Sequence, residues 1–185
     1  MAFIHSKNSR VYLEEYDLSA DGVAITPKFE RRMPDSSTFT NIGRTHLAGP
    51  STDEFTLDLL FDDLNADAAL GPIRTATTTK VASIFPIDTV NKPGYAGLIY
   101  CKNYPIVAKV NEIVTARFDV QFEGQADRVK SLGTKATVTA TTNGTSIDDT
   151  ASSTAAGNWY YHVTAFSATG GNARWQIVLQ DSADD

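Results

Sequence analysis

The strongest constraint on the fold is a ten-residue segment in which apolar and polar side chains alternate strictly. In residues 114–123 every even position is apolar and every odd position is polar or charged. Residues 54–61 repeat the pattern, with Phe55, Leu57, Leu59 and Phe61 on one side. Because successive side chains of a strand point to opposite faces, both segments predict strands with one buried face and one wetted face.

Most of the remaining chain also has strand character. We predict strands over 10–16, 22–32, 79–85, 95–100 and 134–142, the last because it is rich in β-branched residues. The alternating segments 159–166 and 173–180 flank a Gly-containing turn and predict a hairpin. One short helix is predicted over 62–70, with Gly71-Pro72 as its end. The fold class is therefore mainly β with one short helix.

A change in composition indicates two domains. Aliphatic residues dominate before 124–133, whereas Thr, Ala, Ser and Gly dominate after it. We predict a first domain over 1–130 and a small C-terminal β domain over 131–185. In the second domain, alternation groups Trp159, Tyr161 and Trp175 with aliphatic residues, which favours burial of that face. The opposite face is then the candidate for binding, and its members are Tyr160, His162 and Phe166.

Composition and motifs argue against several classes of protein. The net charge of −6 comes without a basic cluster, which disfavours tight binding to DNA. Apolar runs fall well short of the roughly 20 residues that span a bilayer, so no membrane partner is expected. The three histidines have no ligand spacing, and no nucleophile elbow, Walker loop or dinucleotide fingerprint occurs. We therefore expect no enzyme activity, no metal and no cofactor.

Short motifs in a fixed order resemble one known family. The motif Tyr16-Asp17-Leu18-Ser19 precedes the loop 37–49, which reads STFTNIGRTHLAG, and the alternating strand 55–62 follows. Further on, residues 120–125 read VQFEGQ. This series is similar to the major tail (tail tube) proteins of long-tailed, siphovirus-type bacteriophages. Residues 180–184, which read QDSAD, resemble part of an extra β domain that some of these proteins carry.

The resemblance implies a tail-tube type β-sandwich or barrel with one short helix, plus a small C-terminal β domain, abbreviated or exposed on the tube exterior. It implies hexameric rings that stack into a hollow tube, the conduit for DNA ejection. Implied partners are further copies of the chain, the tape measure protein, other tail proteins, and DNA that passes through the lumen without specific binding. The implied location is the tail of the virion, after synthesis in the bacterial host cytoplasm.

The resemblance also gives two sets of candidate site residues. The lumen-facing candidates are Thr56, Asp58, Thr115, Arg117, Asp119, Gln121 and Glu123. The ring-to-ring contact candidates in the loop are Arg32, Met33, Thr38, Phe39, Arg44, His46 and Leu47. Arg117 could pair with Asp119 or Glu123 on the same polar face.

Other functions fit the same features. A tail terminator, a baseplate protein or a decoration protein is a virion component of related β fold. A carbohydrate-binding β-sandwich would bind sugars through the C-terminal aromatic residues. In a monomeric sandwich, the polar faces of the strands would be exposed to bulk water.

Overall fold

A computed structural model describes residues 9–38, 43–64, 66–87, 89–133, 136, 137, 139 and 158–165. The described part contains nine strands and one helix. The strands are β1 (Arg10–Leu13), β2 (Tyr16–Asp17), β3 (Gly22–Arg31), β4 (Ser51–Leu60), β5 (Lys80–Phe85), β6 (Pro93–Asn103), β7 (Ile106–Val107), β8 (Thr115–Phe122) and β9 (Asp127–Lys130), and the helix is α1 (Ala66–Arg74).

The strands form one antiparallel sheet in the order β2-β1-β5-β6-β8-β4-β3. The 11-residue strand β6 connects the two halves of this sheet, because β5 pairs with one of its edges while β8 and β9 share the other. A turn at Gly124, whose φ of 82° suits glycine, separates β8 from β9. Buried side chains from both halves and from α1 join a single hydrophobic core.

The two alternating strands have the faces that the sequence predicts. The side chains of Phe55, Leu57 and Leu59 on β4 are buried, as are those of Ala116, Phe118, Val120 and Phe122 on β8. The intervening side chains of both strands lie on the opposite face. Phe61 follows β4 and packs partly buried against the core.

Some element bounds differ from the prediction. The segment 10–16 contains β1 and β2 with a turn between them, in which Glu14 has a φ of 52°. The described residues 158–165 do not form a strand, so the first strand of the predicted hairpin is wrong there. Residues 173–180 and most of 134–142 lie outside the described part of the chain.

The helix begins and ends later than predicted, and Gly71-Pro72 lies inside it. Pro72 has no N–H to donate to the carbonyl of Ala68, a loss that costs about 3 kcal/mol in a helix interior. Leu70 and Ile73 are buried on either side of it. Full burial of one such side chain contributes about 1.5–3 kcal/mol, so the two together offset the proline.

Strand β3 is an edge of the sheet, and within the described residues it pairs only with β4. All of its side chains except that of Ile25 are exposed or nearly so. Arg32 donates its N–H to the carbonyl of Pro50, and hydrogen-bonded pairs alternate along an antiparallel ladder. Pro27, opposite Phe55, therefore has its missing N–H on the free edge of β3.

Candidate functional site

The polar side chains of β4 and β8 form one continuous surface, called here the polar face. In the register of these strands Thr56 lies opposite Asp119, and Asp58 lies opposite Arg117. All the lumen-facing candidates belong to this face: Thr56, Asp58, Thr115, Arg117, Asp119, Gln121 and Glu123. The alternation of apolar and polar residues in the sequence was sufficient to predict that these side chains share one face. Whether the face borders a channel stays a prediction.

Cross-strand contacts connect the charges of the polar face. Arg117 donates from Nε to Asp58 Oδ1 at 2.7 Å and from Nη2 to Oδ2 at 3.4 Å. The hydroxyl of Thr56 donates to Asp119 Oδ1 at 2.7 Å. The hydrogen bond to Asp58, and then its negative charge, raise the pKa of Arg117.

The predicted pairing of Arg117 with Asp119 or Glu123 is wrong. Directly opposite residues of an antiparallel pair are about 4.5–5.5 Å apart at Cβ, which is closer than the next residue on the same face of one strand. Asp58 occupies that opposite position. The sequence of β8 alone carries no information on which residue of β4 it faces.

Strand β6 adds members to the polar face that the sequence analysis did not identify. Lys102 Nζ lies 2.7 Å from Glu54 Oε1, and the hydroxyl of Tyr100 lies 3.5 Å from Glu123 Oε1. The pairing register shifts between Cys101 and Asn103, yet the side chains of Leu98, Tyr100 and Lys102 are exposed in alternation. The sequence analysis missed Lys102 because the predicted strand 95–100 ends before it, whereas β6 extends to Asn103.

Over β4, β6 and β8 the polar face has four carboxylates (Glu54, Asp58, Asp119 and Glu123) and two cations (Lys102 and Arg117), a net charge of −2. Each cation is already paired with a carboxylate. A phosphate backbone is bound mainly by arginine and lysine side chains that are available to it. The polar face therefore offers little attraction for nucleic acid.

Between β3 and β4, the described residues 32–38 and 43–50 are hydrogen-bonded to one another and are called here the arm. Gly49 donates its N–H to Arg32 O at 2.7 Å, Leu47 donates to Pro34 O at 3.1 Å, and Ser36 donates to Thr45 O at 2.8 Å. The described part of this segment contains no strand, as expected of a loop, but backbone hydrogen bonds and the bridge between Asp35 and His46 hold its two sides together. A Cβ at Gly49 would lie 2.8 Å from the carbonyl oxygen of Arg32, so close pairing at the base of the arm requires glycine.

The side chains of the arm are largely exposed. The ring-to-ring candidates Arg32, Met33, Thr38, Arg44, His46 and Leu47 are all exposed, and Phe39 lies outside the described residues. Their contact with another ring stays a prediction.

A C-terminal segment, residues 158–165, lies against the half of the sheet remote from the polar face. Asn158 Nδ2 and the Tyr160 hydroxyl both donate to Asp127 Oδ2, at 2.8 Å and 2.5 Å. Burial, followed by the hydrogen bond to Asp127, raises the pKa of Tyr160 to about 12. These contacts fix which side of the segment faces β9.

His162 anchors the same segment to β1 and β5. Its Nδ1–H donates to the carbonyl of Glu14 at 2.7 Å, and its Nε2 accepts from the Ser83 hydroxyl at 2.8 Å. The ring stacks on Tyr12, with 5.5 Å between centroids. Burial lowers the pKa of His162, outweighing the opposing effect of the Glu14 carbonyl.

The predicted exterior aromatic face is therefore wrong for Tyr160 and His162, which face the sheet. Trp159 and Tyr161, predicted to be core residues, are exposed instead. Alternation separates two faces but cannot say which is buried, and here hydrogen-bond partners on the sheet decide it. Phe166 and Trp175 lie outside the described residues.

In the part of the chain that the structure describes, no three His, Cys, Asp or Glu side chains are grouped so that they could hold a metal ion. No helix there is long and apolar enough to cross a membrane.

No protein-family model and no curated protein matches the sequence. Solved structures do match. The tail of an empty gene transfer agent (GTA) particle, solved with C6 symmetry, aligns with a TM-score of 0.59 at 13% identity, covering 69% of this chain and 99% of that chain. The SPP1 tail tube aligns with a TM-score of 0.57 at 11% identity, covering 70% and 81% of the two chains.

The chain has the tail-tube fold. The predicted mainly β class with one short helix is confirmed with it. The tail-tube fold also extends to a tube-terminating cap, that of the anti-feeding prophage, which aligns with a TM-score of 0.52 at 12% identity over 71% of this chain and 93% of that chain.

Proposed function

We propose that this chain is a tail tube subunit, which assembles as hexameric rings that stack into the tail tube of a phage-like virion. The observation that carries the proposal is the match to the GTA tail, in which 99% of that chain is covered. A match of nearly a whole chain supports a shared role more strongly than a match of one motif.

The edge strand β3 supports the formation of rings. An edge strand presents unpaired backbone groups, and proteins normally cover or blunt such edges. Here the side chains are exposed as well, including Phe29 at 46% of its surface. In the proposed ring a neighbouring subunit covers β3, so that the inner sheets join around the lumen.

The polar face supports the role of a conduit for DNA ejection. We place this face on the lumen wall, where its net negative charge and paired cations let DNA pass without specific binding. The C-terminal domain, 131–185, is assigned to the tube exterior, because its described segment 158–165 packs on the half of the sheet remote from the polar face. The tape measure protein and other tail proteins are further proposed partners.

Electron microscopy of the purified chain tests the proposal. A tube subunit gives hollow tubes or hexameric rings in negative stain at high concentration. A chain that stays monomeric, and whose tryptophan fluorescence shifts on addition of glycans, is instead a carbohydrate-binding module, and the proposal then fails.

A tube-terminating function is the second candidate, since a cap shares the tail-tube fold. Single rings that never extend at any concentration would favour the terminator. Stacks of many rings would exclude it, because a terminator stops growth after one layer.

A further inference from the structure

A cleft beside the edge strand β3 contains a buried carboxylate, that of Asp53. The residues that line this space, called here the Asp53 cleft, are Phe29, Glu30, Arg31, Ser51, Asp53, Tyr95, Gln125 and Ala126. Asp53 is 4% exposed, and its Oδ2 accepts the Ala126 N–H at 2.8 Å. No second hydrogen bond to this carboxylate comes from the described residues. An ionised carboxylate can accept about four hydrogen bonds, and its burial is costly unless it is paired, so the cleft lacks a donor group.

The walls of the Asp53 cleft suit the guanidinium group of an arginine. The ring centroids of Phe29 and Tyr95 lie 4.6 Å apart, and Phe29 is 46% exposed. A guanidinium group is planar, so it can stack on an aromatic ring while it donates two parallel hydrogen bonds to a carboxylate. Arg31 lines the same cleft, yet no ion pair joins it to Asp53 in the part of the chain that the structure describes. The carboxylate is therefore available to an arginine of another chain.

An exposed arginine lies near the opposite edge of the sheet that carries the polar face. On the side away from β3 this sheet ends at residues 100–103 of β6, because β5 pairs with β6 only as far as Ile99 in the described structure. Arg74, the last residue of α1, is close to this edge. Burial raises the pKa of both Cys101 and Tyr104, and the positive charge of Arg74 opposes the rise in each. The end of β6 therefore has a cation beside it.

Asp53 and Arg74 are placed to meet between neighbouring copies. Both lie on the core side of the sheet, since Asp53 continues the buried face of β4 and α1 packs on that face. The Arg74 side chain is exposed, and no ion pair joins it to a carboxylate of the described residues. A closed ring of identical copies requires complementary groups at two different edges of each subunit.

We propose that Arg74 of one subunit inserts into the Asp53 cleft of its neighbour in the same ring. The guanidinium group donates to the Asp53 carboxylate and stacks between the rings of Phe29 and Tyr95. This inference rests on the proposed tube function and deepens it, because it names the side chains that join subunits within a ring.

A double-mutant cycle tests the pair. Asp53→Asn keeps an oxygen for the Ala126 N–H but removes the charge, and Arg74→Gln removes the cation at an exposed position. Each variant is expected to raise the lowest protein concentration that gives rings or tubes by about tenfold or more, the effect of losing one close interfacial charge pair. The double variant should be no worse than either single one, because both changes remove the same contact.

Matched controls are Glu15→Gln in the β1–β2 turn and Lys92→Gln just before β6, both exposed positions outside the cleft and away from α1. They should assemble like the wild type. Sedimentation and negative-stain microscopy measure assembly, and urea unfolding of the dilute variants measures whether they are folded. Arg74→Gln decides the test if Asp53→Asn proves unstable.

Cross-linking locates the contact directly. In a Cys101→Ser background, one batch carries Gln125→Cys in the cleft and another carries Thr75→Cys next to Arg74, both at exposed positions. A short bismaleimide linker should join one chain of each kind in assembled mixtures, and neither batch alone should give cross-linked pairs. If Arg74→Gln assembles like the wild type, or if no mixed pairs form in assembled material, the contact is wrong while the tube function stands. A wild-type chain that forms neither rings nor tubes would overturn both proposals.

Discussion

Gly94, near the start of β6, lies where the sheet leaves no room for a side chain. A Cβ at this position would lie 2.6 Å from the Ile84 carbonyl oxygen and 2.4 Å from the Phe85 ring. The ring can turn away, but the carbonyl belongs to β5, which pairs with β6. Any side chain at Gly94 must therefore push the two strands apart.

Gly94→Ala is expected to lower the free energy of unfolding by about 1–3 kcal/mol, the usual cost of forcing extra volume into a packed site. The control is Gly133→Ala, because a Cβ there meets nothing within 4 Å. Urea unfolding of both variants, followed by circular dichroism, measures the difference. Equal stability of the two variants would contradict the steric argument.

The sequence supports prediction of side-chain faces better than of side-chain partners. Alternation grouped Asp58, Arg117 and Asp119 on one face, because the period of a strand is a local property. The partner of Arg117 depends on the register between β4 and β8, which are more than 50 residues apart in sequence. Register is fixed by the whole core, so the sequence of one strand could not reveal it.

Among the elements, residues 158–165 are attached to the sheet although they do not form a strand. Their attachment relies on side chains, with Asp127 holding Asn158 and Tyr160, and with His162 lying between Glu14 and Ser83. Because the His162 pKa is lowered in the docked state, the detached segment binds a proton more readily. Docking is thus fully favourable above the ordinary histidine pKa of 6.5 and weakens as the pH falls below it.

Hydrogen exchange of residues 158–165 should therefore accelerate between pH 7 and pH 5, after correction for intrinsic rates, whereas β4 and β8 should keep their protection. His162→Gln cannot gain a proton, so its corrected exchange should be independent of pH. A variant that keeps the acid-induced acceleration would show that another group is responsible.

The bounds of a strand could be predicted where buried and exposed side chains alternate along its whole length. They could not be predicted where contacts with distant residues override the local sequence signal. Gly71-Pro72 is a strong local stop, yet burial of Leu70 and Ile73 carries α1 past it. The arm has polar and turn-forming residues typical of a loop, yet it pairs as an extension of β3 and β4. For the helix the deciding interactions lie outside the segment, whereas in the arm they join two sides of the segment that are distant in sequence.

For the whole molecule, the balance of charge on the polar face determines how DNA would move past an assembled tube. Asp119→Lys places an unpaired cation there, where it attracts phosphate. DNA ejection from particles with this variant should be slower, and the delay should be larger at low ionic strength because salt screens the attraction. Glu15→Lys, the same charge change in the exposed β1–β2 turn, should leave ejection unchanged.

Tubes of normal length should form in both variants, since neither position is among the ring-to-ring contact candidates. Normal ejection by Asp119→Lys would place the polar face away from the lumen. Ejection rates from purified particles, followed by DNA dye fluorescence, give the comparison.

The arm lies at one end of the β3–β4 ladder, so copies that stack through it in the proposed tube leave an arm free at one end and the surface that accepts an arm free at the other. However many copies are added, one terminus of the fibre displays arms and the other displays acceptors. The two termini of such a tube are therefore different, and each must be closed by a different protein. A closing protein built on the same fold needs only to lack one of the two surfaces for growth to stop.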